Sequence, residues 1–345
     1  MATFDIKESL IKLCSAEGVS GEEQTVGELA LSMLKNYTDN CYIDKFGNVI
    51  GHIGEKNENK PTLLLDAHID QIGLIVTFID DDGFIRVSKC GGVDRRVLAA
   101  QTVTIHGSKK IKGVISVLPP HVKKDGDKVA QIDELVIDTG YSKEELSVIV
   151  SLGDRITVDN EPAVLLNDRI CAPACDDRAG VVCILYALEL LKGKATKYNI
   201  DVSFTGQEET GERGAKIAAF NLNPDICLEM DVSFAYTPDS EKHKCGELSG
   251  GVMIGIAPSL SKRLSKELIS IAKNKEIPYS LEVMSGETGT NADAIGVAKG
   301  GTECCTLSIP LRYMHTPVEV VAPEDIEAIG RLIYEFAKEG EVSAL

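Results

Sequence analysis

The apolar residues of this chain change period along its length. Between residues 21 and 38, Val26, Leu29, Ala30, Met33 and Leu34 recur at helical spacing, with Glu22 and Glu23 placed to favour the positive amino end of a helix. The spacing predicts an amphipathic helix. The first residues, MATFDIKESLIKLCSAEG, also mix charge with helical apolar spacing. A turn-like Phe46-Gly47-Asn48 then separates two short β-prone runs, and Leu63-Leu64-Leu65 is the compact apolar stretch of a buried strand running into His68.

From about residue 71 to 163 the texture is β-rich. IGLIVTF, GFIRVS, TVTIHG, KGVISVL and SVIVSLGDRITV are separated by Gly, Asp and Lys, with no long helix between them. They predict a small barrel or sandwich with an exposed loop at 119–127. Beyond about residue 164 the patterns alternate: a helix over 180–191, strands over 199–204 and 225–230, a helix over 261–275, strands over 279–284 and 306–309, and a last helix after Pro323. Such alternation predicts an α/β sheet covered by helices. The expected fold is therefore a helix-covered mixed sheet built from residues 1–70 and 164–345, with a small β-barrel unit of residues 71–163 inserted.

A chain of 345 residues with 43% hydrophobic and 26% charged side chains sustains one large core and a smaller one. The net charge of -17 repels phosphate backbones and anionic lipid, so neither nucleic acid nor a membrane is an expected partner. No run approaches the roughly 18 apolar residues of a membrane span. The amino end lacks the uninterrupted apolar core of a signal peptide, and a cytoplasmic location is expected. The ten cysteines are scattered through apolar stretches and read as reduced, with Cys14, Cys183 and Cys227 in the core. Neither Cys171 with Cys175 nor Cys304 with Cys305 has the paired spacing of a structural zinc site.

Candidate chemistry lies in five places: His68 and Asp70 in DAHID, Asp176 and Asp177 in ACDDRAG, Glu208 and Glu209 in TGQEETG, Asp231 in LEMDVS, and His315 in RYMHTP. Each is read as lying just past an apolar strand, where ligand sites of open α/β sheets gather. Singly, each has an ordinary explanation: a carboxylate as a helix cap, His68 as a core histidine, Asp177 with Arg178 as a surface ion pair. Together, two histidines and several carboxylates are the mixed nitrogen and oxygen donors that zinc, cobalt or manganese accept. Neighbours on a regular strand face opposite ways, so Glu208 and Glu209 reach one site only from irregular backbone, which Gly206 and Gly211 favour. The stretch SGETGTNADAIG lacks the Gly-Lys-Ser/Thr ending of a phosphate loop and reads as a turn or a substrate-lining segment.

The motifs AHIDQIG, ACDDRAG, GQEETGERGA, the Asp231 segment and RYMHTPVEVV resemble, in order and approximate spacing, those of the tetrahedral two-metal aminopeptidases. Members of that family are called glutamyl, leucyl or deblocking aminopeptidases, and sometimes endoglucanase M. The resemblance covers the whole chain. It implies two divalent metal ions per subunit, zinc or cobalt, with Asp176 bridging them, His68 and Asp231 completing one site, and Glu209 and His315 the other. Glu208 is then the general base, and Asp70 orients the ring of His68. Paired metals acidify a bridging water and polarise the scissile carbonyl, and an adjacent carboxylate moves the water's proton to the leaving amine.

The resemblance further implies short peptide substrates with a free amino terminus, a β insertion that mediates dimerisation, and dimers that build a homo-oligomer of twelve subunits. Gln71, Cys175 and Glu212 depart from the family pattern beside the ligands, not at them. Three rivals stand beside this reading: a metal-dependent carboxypeptidase or deacylase on a similar core, a glycosidase needing only two opposed carboxylates, and a non-catalytic binding or scaffold protein. The insertion directly after the first His and Asp favours the aminopeptidase arrangement, and the complete ligand set counts against a scaffold.

Overall fold

Leu10 and Leu13 on the first helix, α1 (Ile6–Cys14), and Val26, Ala30 and Leu34 on the second, α2 (Gln24–Leu34), bury the apolar stripes read from their spacing. They do so in a computed structural model that describes residues 4–116 and 129–340. Three strands follow, β1 (Cys41–Ile43), β2 (Val49–Ile53) and β3 (Thr62–His68). All seven positions of β3 are buried, as expected of a strand covered on both faces. Leu63, Leu65 and Ala67 enter the large core with α1 and α2, while Leu64 enters a smaller core on the opposite face.

After β3 the chain builds a closed barrel from β4 (Gly73–Ile79), β5 (Ile85–Cys90), β6 (Thr102–His106), β7 (Lys110–Ile115), β8 (Val136–Asp138) and β9 (Arg155–Val158). One helical turn, α3 (Lys143–Leu146), precedes β9. The strands close in the order β4-β5-β8-β7-β6-β9, and β7 alternates exposed and buried residues as a strand with one wet face does. Leu74, Val76, Ile85, Val103, Ile137 and Ile156 fill the interior. The loop expected at 119–127 lies outside the described residues.

The remaining elements are β10 (Ala163–Val164), β11 (Ile170–Ala172), α4 (Cys175–Leu191), β12 (Asn199–Thr205), α5 (Arg213–Leu222), β13 (Ile226–Phe234), β14 (Val252–Ile256), α6 (Lys262–Asn274), β15 (Tyr279–Val283), α7 (Asn291–Gly296), β16 (Glu303–Leu311), β17 (Glu319–Val321) and α8 (Pro323–Glu339). The main sheet runs β1-β2-β12-β3-β13-β16-β14-β15, and β10, β11 and β17 form a separate antiparallel sheet. Strands β12, β3, β13 and β16 are mutually parallel, so their carboxyl ends share one edge. The helix-covered mixed sheet and the β-barrel expected from the sequence are both present. Helices α5 and α7 and strand β14 were not anticipated: α5 buries only small residues (Gly214, Ala215, Ala218, Ala219), and α7 spans six residues. Among the described residues no helix is long and apolar enough to cross a membrane.

Cys14, Cys183 and Cys227 are buried as expected, and the adjacent Cys304 and Cys305 point into opposite cores. The proposed surface pair of Asp177 and Arg178 is corrected: both are fully buried. Arg178 donates to the carbonyl oxygens of Leu13 (2.7 Å), Ala16 (2.5 Å) and Ile69 (3.3 Å), tying the end of α1 to the chain just beyond β3. Replacing it by Met keeps the long stem and strands these buried acceptors, so Arg178→Met is expected to lose about 3 kcal/mol of stability. Urea unfolding at constant m-value measures it. A loss under about 0.5 kcal/mol, the level of an ordinary surface substitution, would show that the guanidinium does not hold these segments together.

Candidate metal centre

The shared carboxyl edge of the parallel strands positions the candidate residues. His68 is the last residue of β3, and Glu208 and Glu209 follow β12, which is in register with β3 through Thr205 and His68. Asp231 lies within β13, not past its end, and is register partner to Ser308 of β16. Asp176 departs further from expectation. It stands in the irregular first turn of α4, where Asp176 and Asp177 have non-helical dihedrals and their peptide bond is cis. His315 lies between β16 and β17 with φ of 61°.

These five segments do converge. His68 Nε2 faces Asp176 Oδ1 at 3.1 Å, while His315 Nε2 faces the other oxygen, Oδ2, at 3.4 Å and Glu209 Oε1 at 3.5 Å. Glu208 Oε2 is 3.9 Å from His68 Nε2. Two donor triads result, His68 with Asp176 and Asp231, and Asp176 with Glu209 and His315, each with one atom per residue within 4.8 Å of the others. Asp176 belongs to both. A third grouping, His68 with Glu208 and Glu209, overlaps them.

Backbone groups aim these side chains. His68 Nδ1 donates to the main-chain oxygen of Asp70 at 3.1 Å, with the Asp70 carboxylate at 3.5 Å, and His315 Nδ1 donates to the carbonyl of Gly92 at 3.0 Å. Each ring therefore turns Nε2 toward the carboxylates, the orientation a metal-binding histidine needs. The Asp70 carboxylate accepts from the amides of Glu208 (3.0 Å) and Glu209 (3.3 Å) and from the Ser20 hydroxyl, so it shapes the turn that presents both glutamates. The turn is irregular as expected, with positive φ at Gln207 (58°), Gly211 (114°) and Glu212 (55°). Gln207 adopts this conformation with its amide held by the Glu23 carboxylate at 3.1 Å.

Two supports escaped the sequence reading. Glu319 is buried in β17 and accepts from the amides of Asp176 (3.1 Å) and His315 (2.9 Å), joining the two least regular segments of the site. It sits inside the quoted RYMHTPVEVV, but nothing local distinguishes it from a surface glutamate. Gly92 is the other: a Cβ there would collide with the ring of His315.

The electrostatics test whether the residues fit metal ions. Burial raises the carboxyl of Glu208 to about 7, helped by the charges of Asp70 and Asp176, and raises Glu209 to about 8, helped by Asp176. Asp231 is pushed well up by burial and by Glu229. Burial opposes ionisation of Asp176 as well, but hydrogen bonding to His315 and His68 outweighs it and holds that carboxyl below the usual range. The bond to Asp176 raises His315 to about 9, and His68 is raised despite its burial by Asp176 and Asp70. Four acids and two histidines thus share protons in one pocket with no lysine or arginine paired to them among the described residues. The residues fit a divalent cation, which would take the place of those protons among mixed nitrogen and oxygen donors.

Known proteins share this architecture along almost the whole chain. A lysyl aminopeptidase of Pyrococcus furiosus is 34% identical over 331 residues, covering 93% of each chain. An aminopeptidase from the archaeon Desulfurococcus kamchatkensis superposes with a TM-score of 0.91 at 37% identity, covering 97% of this chain and 94% of that one. The TET1 peptidase of Pyrococcus horikoshii, described as assembling into a tetrahedron or a large octahedral shell, superposes with a TM-score of 0.84 at 31% identity over 97% of this chain and all of its own (100%). The family model described as M42 glutamyl aminopeptidase matches residues 47–332, a span that contains every residue of the two triads, and the chain belongs to that family.

Proposed function

We propose that the chain is a metal-dependent aminopeptidase that removes the first residue of short peptides. The observation that carries this reading is the double engagement of Asp176, whose two oxygens face His68 and His315 and which is common to both triads. Asp176 would bridge two divalent ions, zinc or cobalt, with His68 and Asp231 on one and Glu209 and His315 on the other. When bound, the pair supplies Lewis acidity and lowers the pKa of a shared water.

The remaining steps belong to the chain's own side chains. Glu208 stands beside His68 and outside the two triads, which supports the reading that its carboxylate takes the water's proton and delivers it to the departing amine. The turn held by Asp70 keeps Glu208 in reach of that proton, and Asp70 steadies the ring of His68. Acidic groups around the pocket favour a free substrate ammonium. We further assign residues 71–163 to dimerisation and the dimers to a twelve-subunit particle, a reading supported by the assemblies described for the Pyrococcus horikoshii relative. The names of the relatives do not agree on the first residue removed, lysyl in one and glutamyl in the family description.

Glu208→Gln keeps size and polarity but cannot carry the proton, so turnover should fall at least about 100-fold while two ions per chain remain bound. Glu209→Gln should lose or weaken one ion. Metal content by mass spectrometry on the same preparations separates the roles, and the reverse pattern would exchange the two glutamates. Chelation should abolish hydrolysis and lower Tm, since an ion at a hundred times its Kd adds about 2.7 kcal/mol per site. Restoration of both by zinc or cobalt alone is expected, and full activity after exhaustive chelation would end the metal reading. Peptides with an acetylated amino end, which lack the ammonium's charge and donors, should be poor substrates. Equal rates on free and blocked peptides would exclude exopeptidase action.

A further inference from the structure

The cavity that holds the two triads, about 490 Å³ in volume, extends beyond them to a carboxylate with no place in the metal cluster, that of Glu282 on β15. That size suits a small ligand. Glu282 reaches the cavity by crossing a neighbouring strand: its register partner on β14 is Gly255, which offers no side chain to block it. Its two oxygens then accept from the hydroxyls of Ser233 on β13 and Ser308 on β16, the latter at 2.7 Å. These serines belong to the strand segments that present Asp231. Ser308 is the register partner of Asp231, and Ser233 lies two residues further along β13.

We infer that Glu282 is the specificity-determining residue for the first side chain of the substrate and selects lysine or arginine there, an inference that rests on the aminopeptidase reading above. Two residues of strand, about 7 Å, separate Ser233 from Asp231, close to the length of lysine's four-carbon stem. Met284 and Met314 line the same cavity and give the stem an apolar bed, with methionine adapting to either cation. No Lys, Arg or His among the described residues forms an ion pair with Glu282. The serine bonds orient the carboxylate and use one lone pair of each oxygen, leaving the other able to accept from a ligand. Burial raises the Glu282 carboxyl, and the two hydroxyls pull it back toward the charged form.

An acidic first residue meets like charge here, and an aliphatic one leaves the carboxylate desolvated without a partner, so both are disfavoured. The α-ammonium is common to all substrates, and a carboxylate that bound it would not discriminate among them.

The test uses the metal-loaded protein with p-nitroanilides of lysine, arginine, norleucine, leucine and glutamate. Norleucine has the apolar stem of lysine without its ammonium. For the wild type, kcat/KM on lysine and arginine should exceed that on norleucine by about 10- to 100-fold, the range of one hydrogen-bonded charge. Glu282→Gln retains bulk and hydrogen-bonding capacity, and should lose most of that advantage while cleaving the norleucine substrate at least as fast as wild type, since no charge is then left desolvated. A norleucine rate that does not fall also certifies an intact site. Glu282→Lys should turn the preference toward glutamate.

Norleucine or leucine cleaved as fast as lysine by the wild type would overturn the inference, as would a uniform loss on all five substrates in Glu282→Gln. Calorimetry with lysinamide and norleucinamide is run on the Glu208→Gln background, because an active aminopeptidase would cleave these amides, and it reads the pocket apart from turnover. Tighter lysinamide binding that vanishes in Glu282→Gln, in a protein that cleaves none of the substrates, would sustain the cation pocket and refute the aminopeptidase. Turnover without a lysine or arginine preference would do the opposite.

Discussion

The structure depends on keeping like charges together. Asp176, Glu208, Glu209 and Asp231 occupy one pocket, and below them Asp177, Asp66 and Glu229 are buried without exposure. Asp66 and Glu229 are register partners on β3 and β13, so the sheet itself stacks acid beside acid. In a low-dielectric interior such repulsion is large, and fixed lysines or arginines are the ordinary remedy. Here the charge is met instead by two histidines, backbone amides and small polar side chains. Asn291 donates to Asp66 at 2.9 Å and Thr290 to Glu229 at 3.0 Å. Glu319 and Asp70 are themselves carboxylates, but they spend their oxygens on the amides of Asp176, His315, Glu208 and Glu209, and so fix backbone rather than neutralise charge. What such a pocket lacks is positive charge that can arrive from outside, either as a metal ion or as a substrate's ammonium.

The parts of this arrangement that could be read from the sequence are those where the local pattern and the final environment coincide. Leu63-Leu64-Leu65 is apolar because β3 is covered on both faces, and His68 interrupts it because the sheet edge begins there. The alternation in residues 110–115 is that of a barrel strand. Reading failed where burial is decided by distant segments. Asp177, Arg178 and Glu319 look like surface charges among their neighbours, and only the packing of α1, α4 and β17 encloses them. Asp176 does follow an apolar run, but that run is the short β11 of a different sheet and the start of α4, not a strand of the main sheet. Helix α5 was missed because alanine and glycine, its buried residues, carry little hydrophobic signal.

The barrel and the candidate metal centre form one packing problem rather than two neighbouring modules. Gly92, just beyond β5, supplies the carbonyl that orients His315, and the Asp94 amide reaches back to the carbonyl of His315 at 3.4 Å. On the other side Arg155 of β9 donates to the carbonyl of Ser20 at 2.9 Å, and the Ser20 hydroxyl donates to Asp70. Asp70 in turn holds the amides of Glu208 and Glu209. The barrel therefore fixes one histidine directly and the paired glutamates through two intermediaries. That explains the position of the insertion: the chain leaves the sheet after His68 and enters the first barrel strand at Gly73, and Asp70, which shapes the glutamate turn, lies in the short link between them. A barrel joined elsewhere in the sheet would lack this covalent reference. The glycine at 92 follows from the same constraint, since the barrel must approach His315 closely enough for a main-chain oxygen to reach Nδ1, and a side chain at that position would occupy the place of the ring.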